Sequence, residues 1–224
     1  MALLLLLVML TACAAAPQDL SGKMFTFPQQ TNSAQVRLTT SRQYLRAVTV
    51  CLRYFTDLGR DYSLFSLATP SADNALLIYK WAASDQIHLA IRNSAADFRG
   101  QDYRLNTWHS VCATWDSASG VGQMWLDGKP SSRKFISSGS DISGPIIIVL
   151  GQEQDSHGGG FDINQSFVGM LSDVHMWDHT LSQCQIQDYA DYLNFTPGNL
   201  LNWRKLEFQT VGRVLIENKQ EPYC

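Results

Sequence analysis

Runs rich in β-branched and aromatic residues recur along most of the chain, each cut short by clusters of Gly, Ser, Asn and Asp near 59–61, 71–74, 93–97, 116–123 and 137–144. That punctuation leaves little room for long helices and drives the chain into many short strands. Ala47-Val-Thr-Val-Cys-Leu-Arg-Tyr-Phe55 and Ser110-Val-Cys-Ala-Thr-Trp115 both read as strands. Trp125-Leu-Asp-Gly-Lys129 carries the Asp-Gly signal of a tight hairpin, and Ile146 to Leu150 form a continuous apolar run expected to be a strand buried on both faces. One segment breaks the pattern. Ser182-Gln-Cys-Gln185 fits a capping box, and Ile186, Tyr189, Ala190 and Leu193 follow at helical spacing, which predicts one short helix over about 182–193 before Pro197-Gly198. Many strands and one helix predict an all-β fold, a two-sheet sandwich.

Composition supports a packed core, since 45% of the residues are hydrophobic and Trp, Tyr and Phe number 6, 8 and 10. Such an aromatic content argues against disorder. With 17 Lys+Arg against 20 Asp+Glu the formal charge is -3, so no basic face is expected to recruit nucleic acid. Leu3 to Leu10 form an apolar run followed by Ala12, Ala14, Ala15 and Ala16, read as a secretory leader over 1–16 although no Lys or Arg precedes it. No later segment is long and apolar enough to anchor in a membrane. The expected product is a secreted, extracellular single domain over 17–224. Removing the leader takes Cys13 and leaves Cys51, Cys112, Cys184 and Cys224, which allow three complete pairings. Their spacing fits no zinc motif.

The chemistry gathers in Gly151-Gln-Glu-Gln-Asp-Ser-His-Gly-Gly-Gly-Phe-Asp-Ile-Asn-Gln165. Glu153, Asp155, Asp162 and Gln165 supply the hard oxygens Ca²⁺ prefers, and Gly158 to Gly160 let the chain turn back. Carboxylates this close repel unless solvated, protonated or neutralised by a cation. The competing reading is a plain solvated acidic loop. Glu153-Gln-Asp155 could instead begin the carboxylate set of a sandwich-fold glycosidase, but its amide and glycine surroundings favour a metal loop. His175 and His179 have i, i+4 spacing, yet the intervening residues read as strand, which disfavours a zinc helix.

Leu20-Ser-Gly-Lys23, Val48-Thr-Val-Cys-Leu52, Asp73-Asn74, Leu150-Gly-Gln-Glu-Gln-Asp-Ser156, Gln165-Ser-Phe-Val-Gly169, Met176-Trp-Asp178 and Leu201-Asn-Trp203 together resemble the short pentraxin family, and Cys112-Ala-Thr-Trp-Asp-Ser117 matches most of its signature. The resemblance covers essentially all of 17–224. It implies a lectin-like jelly-roll sandwich with Cys51 bonded to Cys112, while Cys184 and Cys224 are a candidate second pair, with intersubunit links or free thiols as alternatives. It implies two Ca²⁺ per subunit, held by Asp73, Asn74, Glu153, Gln154 through its carbonyl, Asp155, Asp162 and Gln165, with Glu153 and Asp155 bridging both ions. The implied activity is non-enzymatic, calcium-dependent recognition in innate immunity, of an acute-phase-like kind. The ligands would be phosphocholine, phosphoethanolamine or carbohydrate on microbial or damaged-cell surfaces. Asn74, Gln165 and Tyr79 would face the ligand. Tyr79 would be an aromatic wall whose contact with a cationic headgroup is worth about 0.5–2 kcal/mol. Leu89 is a candidate pocket wall and Asp97 a candidate amine partner. A homo-oligomer is implied, a pentamer by family default, with complement proteins as candidate partners. The alternative from another functional class is a laminin-G-like adhesion module that binds a protein partner and tolerates chelation.

Overall fold

The computed structural model describes residues 16–82 and 85–219. Nearly all of the expected leader, together with Cys13 and Cys224, lies outside the described residues. Among the described residues no helix is long and apolar enough to cross a membrane.

Two antiparallel sheets face each other. One runs in the order Lys129–Pro130, Val121–Leu126, His109–Asp116, Ala47–Phe55, Gly169–Trp177, Lys23–Phe27 and Leu215–Asn218, with Lys134–Phe135 also paired to Val121–Leu126. The other runs Phe208–Val211, Gln35–Leu38, Ile147–Leu150, Tyr62–Thr69, Ala72–Lys80, Ile87–Ile91 and Ser94–Phe98. Neighbours distant in sequence pair within both sheets, as the jelly-roll expectation requires.

The strand Ala47–Phe55 shows how sequence alternation builds two layers of packing. Val48, Val50, Leu52 and Tyr54 enter the core between the sheets, where Trp115, Phe25, Phe65, Phe98 and Phe167 are also buried. Cys51 belongs to the opposite face and packs with Cys112, Trp125, Trp177, Leu181, Ile186 and Tyr189. Side chains that alternate with period two explain this division, and burial of both faces explains why the segment lacks a polar stripe. Cys51 and Cys112 stand opposite each other in the ladder, their Cα atoms 4.1 Å apart, and form the implied disulfide. Ile148, Val149 and Leu150 are likewise buried between two neighbouring strands, as the continuous apolar run predicts.

The predicted hairpin at Asp127-Gly128 closes with both residues at positive φ, 50° and 75°, the signature of a tight type I′ turn. The helix covers Gln183–Ala190 and lies over the disulfide. Its predicted capping box forms: the Ser182 hydroxyl accepts the Gln185 N–H while the Gln185 side chain accepts the Ser182 N–H. The helix stops short of the expected 193 because Tyr192 turns into the left-handed region at φ 56°, which leaves Leu193 exposed rather than on the packed face. Cys184 is exposed on this helix and has no disulfide partner among the described residues.

His175, in the strand Gly169–Trp177, is buried against Trp177, Tyr189 and Phe195. Its Nδ1 accepts the Gly198 N–H at 3.2 Å. Burial lowers its pKa to about 4, so it is a neutral packing residue, while His179 lies exposed beyond the strand.

Candidate metal centre

The loop leaves the buried strand Ile147–Leu150 and closes at its neck, where the Phe167 N–H donates to the Gly151 carbonyl at 3.0 Å. Gln152 ties the outgoing arm down by donating to the carbonyls of Thr31 at 2.9 Å and Ala34 at 2.8 Å. Gln154 is fully enclosed. Its amide donates to the Ser66 carbonyl at 3.0 Å and the Ile147 carbonyl at 3.2 Å, and its side-chain oxygen accepts the Gly158 N–H at 3.0 Å. With the side chain spent on structure, the main chain is what Gln154 would offer an ion.

Small residues on the outer face of the sheet make room for this arm. The Ser66 hydroxyl accepts the Gln154 N–H at 3.1 Å, a contact that a large side chain would block. The tip is a narrow turn in which Ser156 and Gly159 exchange main-chain bonds of 3.2 and 3.0 Å. The returning arm is a 3₁₀ turn, Ile163–Gln165, capped by Asp162, whose Oδ1 accepts the Asn164 N–H at 2.9 Å. Arg60 clamps this arm by donating to the Asn164 carbonyl at 2.9 Å while also binding the Asp61 carbonyl at 2.7 Å. Sequence reasoning passed over Arg60, Ser66 and Gln152. Arg60 lies within the 59–61 break, but nothing in that break tells which distant carbonyl it reaches.

Asp73 and Asn74 arrive from the start of the strand Ala72–Lys80. The Asn74 N–H is held by Asp73 Oδ1 at 3.1 Å and Asn93 Oδ1 at 3.0 Å. The carboxylates then meet. Glu153 is only 3% exposed, and burial first, then the negative charge of Asp155, pushes its pKa up to about 7; Asp73 adds to the rise and the Asn74 side chain opposes it. Asp155 and Asp162 are exposed, whereas Asp73, Asn74 and Gln165 are half-buried. Three of the predicted ligand oxygens, Asn74 Oδ1, Glu153 Oε2 and Gln165 Oε1, are buried with no hydrogen-bond partner.

Buried oxygens without donors are costly, and a hard cation satisfies them at once. No three His, Cys, Asp or Glu side chains among the described residues form a ready-made cation group. Mutually repelling carboxylates with nothing between them are not expected to close into one. The donor chemistry fits Ca²⁺: carboxylates, side-chain amides and carbonyls, without a thiolate.

Tyr79 stands beside this set, on the outer face of its sheet. Burial first, then the charges of Asp61 and Glu153, hold its hydroxyl well above the ordinary tyrosine range, with Gln165 opposing. The ring is only 3% exposed and forms a small cluster with Leu77 and Ala90, against which Trp81 packs. Leu89 is in the core between the sheets, so it does not wall this face. Asp97 is paired with His88 at 2.7 Å.

The pentaxin family model matches residues 23–218. The chain is 39% identical to the mucosal pentraxin of Rattus norvegicus over 215 residues, covering 96% of this chain and 95% of that one. It is 41% identical to the serum amyloid P-component of Cavia porcellus over 205 residues, 90% of each chain. Its fold superposes on the native heptameric SAP-like pentraxin from Limulus polyphemus with a TM-score of 0.83 and 27% identity, covering 89% of this chain and 96% of that one.

Proposed function

The chain belongs to the pentaxin family, a family of non-enzymatic pattern-recognition proteins, and on that footing we propose that it is a secreted protein that captures anionic surface groups through bound calcium. Asp73, Asn74, Glu153, Gln154 through its carbonyl, Asp155, Asp162 and Gln165 would hold two Ca²⁺ ions, with Glu153 and Asp155 serving both. The observation that carries this reading is the set of buried, unpartnered oxygens on Asn74, Glu153 and Gln165, which come from one strand and the two arms of one loop and all lie in the predicted ligand set.

The ions would supply positive charge and open coordination positions. The chain's own work is to place and neutralise them. Asp73, Glu153, Asp155 and Asp162 bring four formal negative charges when ionised, matching two divalent cations, so a loaded site would be near neutral and still able to accept an anionic oxygen. Asn74 and Gln165 would contact that anion, with Tyr79 as an aromatic wall beside it. Phosphocholine, phosphoethanolamine and anionic or vicinal-diol sugars fit this chemistry.

A homo-oligomer suits the task, because repeated weak sites facing one surface give avidity. The Limulus polyphemus relative is heptameric. For this chain we propose a cyclic homo-oligomer with the pentamer as default, and complement proteins as partners of the assembled ring. The laminin-G-like alternative predicts partner binding that survives chelation. The deciding experiment is retention on phosphocholine and phosphoethanolamine beads with calcium and with EDTA. Calcium-dependent retention is expected; equal retention in EDTA would refute the calcium reading.

A further inference from the structure

We propose that Asn194 carries an N-linked glycan and that the first sugar of that glycan packs on the Tyr192 ring. The proposal rests on the secretion part of the reading above and is independent of calcium. The sequence holds two acceptor patterns, Asn164-Gln-Ser166 and Asn194-Phe-Thr196, and a chain that travels the secretory route meets the transferase that modifies them. The reaction joins Asn194 Nδ2 to C1 of an N-acetylglucosamine. The C1–O bond to a lipid diphosphate donor breaks, the lipid diphosphate leaves with the bonding pair, and the amide nitrogen gives up one proton.

The two patterns differ in what surrounds the amide. Asn164 belongs to the returning arm of the candidate metal centre: its Nδ2 donates to Asp162 Oδ1 at 3.0 Å and its carbonyl accepts from Arg60 at 2.9 Å. Ser166 is buried, its hydroxyl donating to the Ile163 carbonyl at 2.7 Å. A glycan there would stand against Asp162 and Gln165. Asn194 lies just beyond the helix Gln183–Ala190, over the outer face of the other sheet. Phe195 turns inward against His175 and Tyr189, with ring centroids 5.2 Å from each, and the Thr196 carbonyl accepts the Trp177 Nε1–H at 3.1 Å. Asn194 and Thr196, on either side of Phe195, are exposed. The main chain is thus anchored while the acceptor amide stays at the surface, on the side away from the candidate metal centre.

Tyr192 supplies the second observation. It precedes the acceptor by two residues and is 59% exposed, with Leu193 at 56%. Its ring is fixed: the Arg53 guanidinium carbon lies 3.4 Å from the ring centroid, and the Lys219 ammonium donates to its hydroxyl at 2.6 Å. Both cations also meet Asp173 Oδ2, at 3.5 and 2.9 Å. A ring held this way and still exposed offers aromatic surface to whatever stands beside it. A pyranose has a face of C–H groups, apolar and weakly positive, which suits the negative face of an aromatic ring. A ring fixed in advance loses little entropy when the sugar settles on it.

The test uses the full chain with its own leader, secreted from cultured mammalian cells. Protein from the medium is treated with peptide-N-glycosidase in heavy-oxygen water, which turns each glycosylated Asn into labelled Asp, and its peptides are read by mass spectrometry. Label at Asn194 is expected, in a fraction of the chains, because Pro197 directly after the pattern restricts the backbone presented to the transferase. Asn194→Gln and Thr196→Ala should each remove it. Glycosylated wild type should melt about 2 °C or more above its deglycosylated form. Tyr192→Ala should erase most of that difference and Tyr192→Phe should keep it. Each variant is compared with its own deglycosylated form, so the lost Arg53 and Lys219 contacts cancel. If Tyr192→Ala does not fold, Tyr192→Leu, which keeps apolar bulk without an aromatic face, takes its place. Secreted protein bare at Asn194, or labelled at Asn164 alone, would overturn the proposal and leave the parent reading standing. An equal glycan-dependent shift in wild type and Tyr192→Ala would overturn the packing on Tyr192. A chain retained inside the cells without a glycan sinks the secretion reading and this one with it.

Discussion

At Gly151 the backbone adopts φ 90°, and a Cβ would fall 2.2 Å from the Phe27 ring inside the core. A side chain here meets both left-handed strain and a rigid aromatic wall, so Gly151→Ala is expected to destabilise the fold by about 2–4 kcal/mol, read from the urea midpoint. An unchanged midpoint would show that the neck of the loop tolerates widening. His175 makes a second prediction. Its pKa falls from 6.5 to about 4 because burial penalises the imidazolium, so between those values the unfolded chain binds a proton that the folded one refuses. Stability contributed by the neutral ring is full above about pH 6.5 and is lost as pH drops towards 4, up to about 3 kcal/mol. Denaturant midpoints at pH 7 and pH 4.5 should differ more in wild type than in His175→Gln; equal differences would place the acid sensitivity elsewhere.

Among elements, the Gly151–Phe167 loop and the helix carry separate expectations. The loop packs its first arm under Ser66 and Thr31 and its last under Arg60, but its tip is held by the Ser156–Gly159 pair and the Gln154 bond to Gly158. Removing calcium would leave the charges of Asp155 and Asp162 unneutralised on either side of that tip. EDTA is expected to speed proteolytic cleavage between Ser156 and Gly160, monitored by mass spectrometry of the fragments, and equal rates with and without calcium would count against the ion. The helix is short, and it depends on its capping box and on packing over the disulfide rather than on its own propensity. Ser182→Ala removes one half of that box and should cost about 1 kcal/mol without disturbing calcium binding, measured by thermal melting with and without the ion.

For the whole molecule, the helix covers the outer face of one sheet and the candidate metal centre lies on the outer face of the other. A ring of such subunits could present every candidate metal centre to one surface, whereas a lone subunit would offer a single weak contact. Native mass spectrometry is expected to give a closed homo-oligomer. Dissociated subunits should bind free phosphocholine with the same affinity as the ring yet lose about a hundredfold or more in retention on a densely decorated surface. Undiminished retention of monomers would remove the argument for avidity.

Local patterning was enough for the strands, the Asp127-Gly128 hairpin, the capping box at Ser182 and the acidic loop, because period-two burial, turn chemistry and capping are encoded within a few residues. The resemblance carried the Cys51–Cys112 pairing, which local sequence left open among three arrangements. The resemblance likewise grouped Asn74 with Glu153, but other contacts between distant segments needed the folded chain: Arg60 reaching Asn164 and Gln152 reaching Thr31. The same holds for the helix end, where Tyr192 takes a left-handed turn that apolar spacing cannot announce, and for Tyr79, which the resemblance put at a ligand wall and packing leaves only 3% exposed, edge-on to Trp81. Sequence alone thus determined which segments become strands and that Glu153, Asp155, Asp162 and Gln165 could attract a cation, since both follow from residue type at short range, while Asp73, Asn74 and Gln154 joined that set only through the resemblance. Tertiary structure decided which of those oxygens are buried without partners and how far the Tyr79 ring is covered, because burial depends on what the rest of the chain packs on top.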